Sequence, residues 1–173
     1  ALEAYLSREA STITDCLALR AAEEVANALP LVLDDPHNLS ARSRLLEASL
    51  LAGAAMLNAG LGVIHAIANT VGGLAHDSVH GHVILPLLGP ALAFNEGPRA
   101  EEMRPLVERI LRVAASHLPD WDRSLPRLSP EDMELLCEKA PRNINAETNP
   151  RPVSPGRSEE RRVGKSVDLG GRR

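Results

Sequence analysis

Apolar residues recur at helical spacing along most of this chain. In residues 12–30 and 99–117 they return every three or four positions, and the charged side chains fall on the opposite face. Alternating runs rich in β-branched or aromatic residues, which strands prefer, are few. The pattern therefore predicts an all-α fold, a multi-helix bundle.

Proline, glycine and capping residues divide this pattern into segments. Thr14 or Asp15 is the predicted cap of the second helix and Ser40 that of the third, and Pro30 should kink or end the second helix. Residues 143–155 should be extended. We expect the end of one helix at 1–8, then helices at about 12–30, 40–59, 63–74, 80–94, 99–117 and 130–140.

The stretch from Ala48 to His76 contains no Asp, Glu, Lys or Arg. It is long enough to cross a bilayer, but asparagines and several glycines interrupt it. The flanking aromatic and basic residues that are usual for a membrane span are missing. We therefore favour a pair of buried central helices, the first of them apolar on all sides, over a membrane-embedded pair.

Composition agrees with a helical core. A chain of 173 residues can form one domain with a substantial interior. Hydrophobic residues make up 44% of it, but aromatic residues only 2%. The core must therefore be built mainly from Ala and Leu, which are strong helix formers and allow helices to pack closely.

Charge and cysteine usage exclude some classes of function. The formal net charge of −4 gives no basic field for nucleic acid. Cys16 and Cys137 stand far apart without CxxC spacing, so we expect reduced, structural cysteines in a cytoplasmic protein. The first residues show neither the Met nor the basic region of a signal peptide.

Two histidines carry the candidate chemistry. His65 lies in the apolar segment that follows Gly62, and His80 follows the break at Gly72 and Gly73. Neutral imidazole is the commonest metal ligand, so the two rings could share one ion. Each could also be a structural histidine bonded to a backbone carbonyl, and a catalytic metal usually has at least three protein ligands. Spacing alone leaves both interpretations open.

The remaining histidines and motifs say less. His76 and His82 could be a spare ligand, a hydrogen-bonding group in an active site, or neither, and His37 should lie in an exposed loop. The chain contains no GxGxxG, P-loop, GxSxG or HExxH motif. We therefore predict no nucleotide site within it.

Residues 59–95 resemble the iron-containing alcohol dehydrogenase family, within the dehydroquinate synthase-like superfamily. The resemblance rests on Ala-Gly-Leu-Gly-Val-Ile-His-Ala-Ile-Ala-Asn and on the later Gly-Gly-Leu, His-Gly, Leu-Pro and Ala-Phe-Asn. The opening Ala-Leu-Glu-Ala-Tyr-Leu-Ser and the element Asn149-Pro150-Arg151-Pro152 also resemble family segments. The resemblance thus covers the chain to about residue 153.

The resemblance implies a fold, a metal and a cofactor. Family members have an N-terminal α/β domain that binds NAD(P) and an all-helical C-terminal domain. Between the two domains lies a divalent metal, usually Fe²⁺ and sometimes Zn²⁺, held by one Asp and three His. His65 corresponds to the third ligand and His80 to the fourth. Asn69 stands where the family often has a further histidine near the nicotinamide and the substrate, so the resemblance makes Asn69 the candidate catalytic residue.

The same resemblance limits what this chain should do alone. The first two ligands belong to an Asp-x-x-x-His motif just upstream of Ala1, so we expect residues 1–153 to be the helical metal-binding domain without its NAD(P)-binding partner. Such a fragment should be catalytically inert, and a small alcohol or aldehyde should be the substrate of the parent, which could be a homo-oligomer. Residues 154–173 should be disordered, and from about 155 they resemble a translated adapter read-through.

A different class of function is also considered. The chain could be a non-catalytic helical module, either membrane-embedded or a bundle that binds another protein. The alcohol dehydrogenase interpretation requires the two histidine rings to converge, and the alternative does not.

Overall fold

The structure is a computed structural model that describes residues 1–123 and 125–154. Within them the chain forms α-helices and 3₁₀ turns and no strand, so the all-α prediction is confirmed. Most of the predicted disordered tail lies outside the described residues. The helices are α1 (Leu2–Leu6), α2 (Thr12–Asp34), α3 (Leu39–Ala59), α4 (Val63–Leu74), α5 (His80–Phe94), α6 (Pro98–His117) and α7 (Pro130–Lys139).

Side chains just outside the helices set where α2 and α3 begin. The Ser11 hydroxyl accepts from the Thr14 amide and the Thr14 hydroxyl accepts from the Ser11 amide, a capping box that starts α2. The Asn38 side chain accepts from the Ala41 amide and starts α3. The predicted caps therefore lie too late in the sequence: Thr14 is the inner half of its box, and Ser40 is already inside α3.

Two further boundaries differ from the prediction. α2 continues through Pro30 to Asp34, so the proline does not end this helix. The 3₁₀ turns Ala140–Arg142 and Ile144–Ala146 follow α7. The segment 143–155, predicted as extended, therefore begins with a 3₁₀ turn. The bounds of α4, by contrast, are those predicted: Gly62 is its N-cap, and the helix continues through Gly72 and Gly73 to Leu74.

α2 and α3 form the most extensive helix pair in the described part of the chain, and alanine makes up most of their buried residues. Because alanine has no side chain beyond Cβ, the two helix axes can come close together. The alanines concerned are fully or almost fully buried: Ala18, Ala21, Ala22, Ala26 and Ala28 on α2, and Ala41, Ala48, Ala55 and Ala59 on α3.

The prediction that the second half of α3 is buried on all sides is wrong. Leu50 is 73% exposed and Leu57 is 82% exposed, and Met56 is also exposed. The buried residues of α3 are all alanines, and its larger apolar side chains lie at or near the surface.

α4 is the more deeply buried helix of the pair. Five of its apolar residues are buried, namely Val63, Ile64, Ala66, Ala68 and Val71, and Ile67 and Leu74 are partly buried. No described helix is by itself long and apolar enough to span a membrane. α3 and α4 satisfy that test only when taken together, and they meet at a bend of 98°.

α1 is short but lies in the main apolar cluster, with four of its five side chains contributing to it. On one side the Tyr5 hydroxyl donates to the Glu102 carboxylate of α6, and the Arg99 guanidinium lies 4.1 Å from the centre of the Tyr5 ring. Arg99 also donates to Asp15 at the start of α2. This arrangement fixes α1 against α2 and α6, and the remaining side chain of α1, Glu3, points to α4.

The two cysteines do not form a disulfide. Both are free, as their spacing predicts. Cys16 is exposed, whereas Cys137 on α7 is partly buried.

Candidate metal centre

The start of α4 is closed by side chains that are distant in sequence. Its N-cap residue is Gly62, which has no side chain to accept a hydrogen bond. The first amide, of Val63, donates instead to Asn149 Oδ1 at 3.1 Å. The next amide, of Ile64, donates to Glu3 Oε1 at 2.5 Å. Amides that normally lack a partner at a helix start are thereby satisfied.

Gly62 is required for this arrangement because of space. A Cβ at position 62 would lie 2.7 Å from Asn149 Oδ1 and 2.8 Å from Glu3 Oε1. Both distances are shorter than carbon–oxygen van der Waals contact. The glycine therefore lets two oxygen atoms approach the helix start together.

Glu3 also reaches the first candidate ligand. Its Oε2 accepts from the His65 amide at 3.3 Å and lies 2.6 Å from His65 Nδ1. Glu3 is buried, at 5% exposure, while the His65 side chain is 24% exposed. A hydrogen bond from Nδ1 to the carboxylate leaves Nε2 with a free lone pair, the form in which imidazole binds a metal.

His80, the second candidate ligand, is the first residue of α5 and lies beside His65. The two ring centres are 5.6 Å apart and the ring planes are inclined by 55°. With metal–nitrogen bonds of about 2.1 Å, two imidazoles on one ion have ring centres about 5 to 6 Å apart. The donor type and the spacing therefore fit two positions of one metal centre.

The described residues do not supply a full ligand set. Within 1–123 and 125–154 there is no group of three His, Cys, Asp or Glu side chains able to hold an ion. Glu3 is the acidic residue next to the pair, and both of its oxygens already accept hydrogen bonds from α4. The described residues thus bring two candidate ligands together but do not complete a ligand set.

The other predicted positions lie around this pair in different settings. Asn69, one turn beyond His65 on α4, is exposed and lines a groove with Lys139 and Arg142, and its catalytic role stays a prediction. His76 and His82 line a separate pocket at the loop between α4 and α5. His37 is exposed, as predicted.

Sequence reasoning missed Glu3 and Asn149 as parts of the site. Asn149 is only 2% exposed, and it exchanges two hydrogen bonds with Asn95, the residue that ends α5. The sequence did contain a signal that Glu3 is buried and paired. It lies in the apolar segment Leu-Glu-Ala-Tyr-Leu, and a buried acidic residue needs a partner. The position of that partner could not be read from the sequence.

Comparisons with known proteins identify the class to which this helical domain belongs. A sequence model of the Fe-containing alcohol dehydrogenase family, C-terminal, matches residues 1–120. The chain therefore belongs to the Fe-containing alcohol dehydrogenase family, and its fold is that of the family's all-α C-terminal domain.

Individual relatives agree with this assignment. The chain is 31% identical to 1,3-propanediol dehydrogenase of Klebsiella pneumoniae over 87% of its own length and 44% of the relative's. It is 28% identical to NAD-dependent methanol dehydrogenase of Bacillus methanolicus, over 87% and 45%.

A solved structure, of a 1,3-propanediol oxidoreductase, superposes with a TM-score of 0.75 at 27% identity, over 94% of this chain and 48% of that one. The chain thus spans about half the length of the relatives that it matches.

Proposed function

We propose that this chain is the metal-holding helical part of an NAD(P)-dependent alcohol dehydrogenase, which interconverts an alcohol and an aldehyde or ketone. Family membership supports the class of reaction. The observation that carries the proposal is the convergence of the His65 and His80 rings, 5.6 Å apart, on helices of otherwise apolar character.

His65 and His80 are proposed to supply two ligands to a divalent ion, Fe²⁺ or Zn²⁺, since imidazole suits either metal. By the family resemblance the other ligands are an Asp and a His. We place these ligands and the NAD(P) site in the part of the protein outside this chain, which spans only about half of its relatives.

The ion, when bound, would polarise the oxygen of the alcohol and favour transfer of hydride to the nicotinamide. The residues of this chain would hold the ion and orient its two histidine ligands. α4 fixes His65 near its buried first turn, and α5 presents His80 from its first residue. Asn149 and Asn95 tie the end of α5 to the start of α4, so the two helices are held in one arrangement.

The first test concerns the chain alone. With Fe²⁺, NAD(H) and short alcohols or aldehydes, we expect no turnover above that of the ion without protein, because half of the ligand set and the nucleotide site are missing. Steady-state absorbance of NADH at 340 nm measures this. Turnover by the isolated chain would contradict the proposal that it is only part of the enzyme.

The second test restores the missing half. A chimera joins the N-terminal part of the Klebsiella pneumoniae 1,3-propanediol dehydrogenase to residues 1–153 of this chain. We expect His65→Ala and His80→Ala each to lower kcat/KM by at least about 10²-fold. Even substitution of a residue that only supports a metal ligand typically lowers metal affinity or activity by about 10- to 100-fold. His37→Ala, in an exposed loop, is the matched control and should change little.

The metal content of the same chimeras is measured directly. Both site variants should bind less than the parent chimera after dialysis against Fe²⁺ or Zn²⁺. If both retain full metal content and activity, His65 and His80 are not ligands. If the parent chimera does not fold, Zn²⁺ titration of the chain itself decides, because binding should disappear in both site variants and persist in His37→Ala.

A further inference from the structure

Glu3 has an unusual set of partners for a buried carboxylate. In the described part of the chain it accepts hydrogen bonds from the Ile64 amide, the His65 amide and His65 Nδ1. All of these donors belong to the first turn of α4, 61 residues or more away in sequence. One side chain thus closes a helix start and touches the ring of a candidate ligand.

The chemistry of these donors differs in one respect. A backbone amide always carries its hydrogen, whereas a neutral imidazole can carry its hydrogen on either ring nitrogen. An ionised carboxylate offers only acceptors. Facing it at 2.6 Å, His65 must therefore present Nδ1 as a donor.

We propose that Glu3 is a positioning residue that holds His65 in the Nδ1–H tautomer and so keeps Nε2 unprotonated for the metal. The same carboxylate orients the ring by binding the amide of the same residue, so the ring and the start of its helix are fixed by one group. The consequence for the metal rests on the function proposed above, but the tautomer does not.

Glu3→Gln separates the two roles. A glutamine has the same shape but only one acceptor oxygen, and its amino group is a donor. The Ile64 amide makes the shorter bond to Glu3, 2.5 Å against 3.3 Å for the His65 amide, so we expect the glutamine oxygen to stay on Ile64. The amino group then replaces Oε2 and faces both the His65 amide and His65 Nδ1. The backbone cannot adapt to a second donor, but the imidazole can, by moving its hydrogen to Nε2. The isosteric substitution should therefore switch the tautomer and place a hydrogen where the metal would bind.

The experiment records long-range ¹H–¹⁵N spectra of the full chain at about pH 8, above the ordinary imidazole pKa of about 6.5. The resonances of His65 are assigned by their loss in His65→Asn. We expect an unprotonated Nε2 in the wild type and a protonated Nε2 in Glu3→Gln. A general effect on packing would not switch one tautomer.

Glu24→Gln is the matched control. Glu24 is buried to 6% exposure, but its partners are Arg20 and Arg44 and no imidazole. It should leave the His65 tautomer unchanged, as judged by the same spectra. In a parallel titration with Zn²⁺ alone, Glu3→Gln should weaken binding by about tenfold or more, while Glu24→Gln should stay within about twofold of the wild type.

The outcomes are distinct. A wild type with hydrogen on Nε2 overturns the proposal without any variant, so it stays testable even if Glu3→Gln does not fold. A folded Glu3→Gln that keeps Nδ1–H overturns it as well. If His65→Ala and His80→Ala leave the metal content and activity of the chimera unchanged, but the chain shows the expected tautomer and its switch, the proposed metal site fails and the positioning role of Glu3 stands.

Discussion

Glu3 and Glu24 are the same residue type buried to the same depth, 5% and 6% exposed, yet they are stabilised in different ways. Glu24 lies between α2 and α3 and pairs with Arg20 at 2.5 Å and with Arg44 at 2.7 Å. Glu3 pairs with no Lys or Arg among residues 1–123 and 125–154; its oxygens accept from the first amides of α4 and from one imidazole. A helix start, with its partial positive charge, takes the place of the arginines.

The difference indicates where each carboxylate can be replaced. The arginines of Glu24 reach solvent, at 62% and 36% side-chain exposure, so they can be hydrated if the acid is lost. The amides that bind Glu3 belong to the buried residue Ile64 and to His65 and cannot turn away. We therefore interpret Glu24 as part of the scaffold and Glu3 as part of the site.

The largest effect on stability should come from substitution of Gly62, the glycine that lets Glu3 approach the start of α4. Gly62→Ala would place a Cβ within 2.8 Å of both Glu3 Oε1 and Asn149 Oδ1, and one or both oxygens must leave. We expect the free energy of unfolding to fall by about 3 kcal/mol or more, because several buried hydrogen bonds are lost together. Urea denaturation followed by circular dichroism measures it.

The control lies in the same helix. A Cβ at Gly72 would meet nothing within 4 Å, and alanine in a helix interior is better than glycine by about 0.5–1 kcal/mol. Gly72→Ala should therefore be slightly stabilising. Equal stabilities for the two variants would show that the start of α4 does not depend on the close approach at Gly62.

The second comparison removes each carboxylate. Glu3→Leu should lower the free energy of unfolding by about 3 kcal/mol, because the amides and the imidazole nitrogen lose their acceptor. Glu24→Leu should cost about 1 kcal/mol, since its arginines remain hydrated. The same denaturation experiment serves both.

A double variant makes this comparison sharper. Replacing a buried ion pair by apolar residues is often close to neutral, so Glu24→Leu with Arg44→Met should recover part of the loss. If Glu24→Leu costs as much as Glu3→Leu, the distinction between scaffold and site is wrong.

The smallest expected effect on stability involves a third carboxylate, Glu102, and it should be seen only at alkaline pH. Burial, followed by the hydrogen bond to Glu102, raises the pKa of Tyr5 to about 12. Because the folded state then holds this proton more tightly than the unfolded state, stability should be unaffected below about pH 10 and fall between about pH 10 and 12.

Tyr5 is the sole tyrosine of the chain, so tyrosinate absorbance reports it alone. Its titration midpoint should lie near 12 in the folded protein and near 10 in urea. Tyr5→Phe should remove this part of the alkaline loss of stability. A midpoint near 10 in the folded protein would contradict the burial and the bond to Glu102.

Local signals account for what the sequence predicted well. The start of α4 was predicted from Gly62, and the histidine pair from two imidazoles in a mostly apolar stretch. The exposure of Leu50 and Leu57 was not predicted. A helix that is apolar on all sides gives no sequence signal for which side is buried, and in α3 the buried residues are the alanines. The caps of α4 were missed because their donors and acceptors lie 61 and 86 residues apart.

Those separations also have a consequence for the order of folding. Local contacts form before contacts between distant residues, since closing a long loop costs entropy first. The α2–α3 hairpin can thus form early, whereas the start of α4 must wait for both α1 and Asn149 to arrive. In a pulse-labelling hydrogen-exchange experiment, the amides of Val63 and Ile64 should be among the last to become protected.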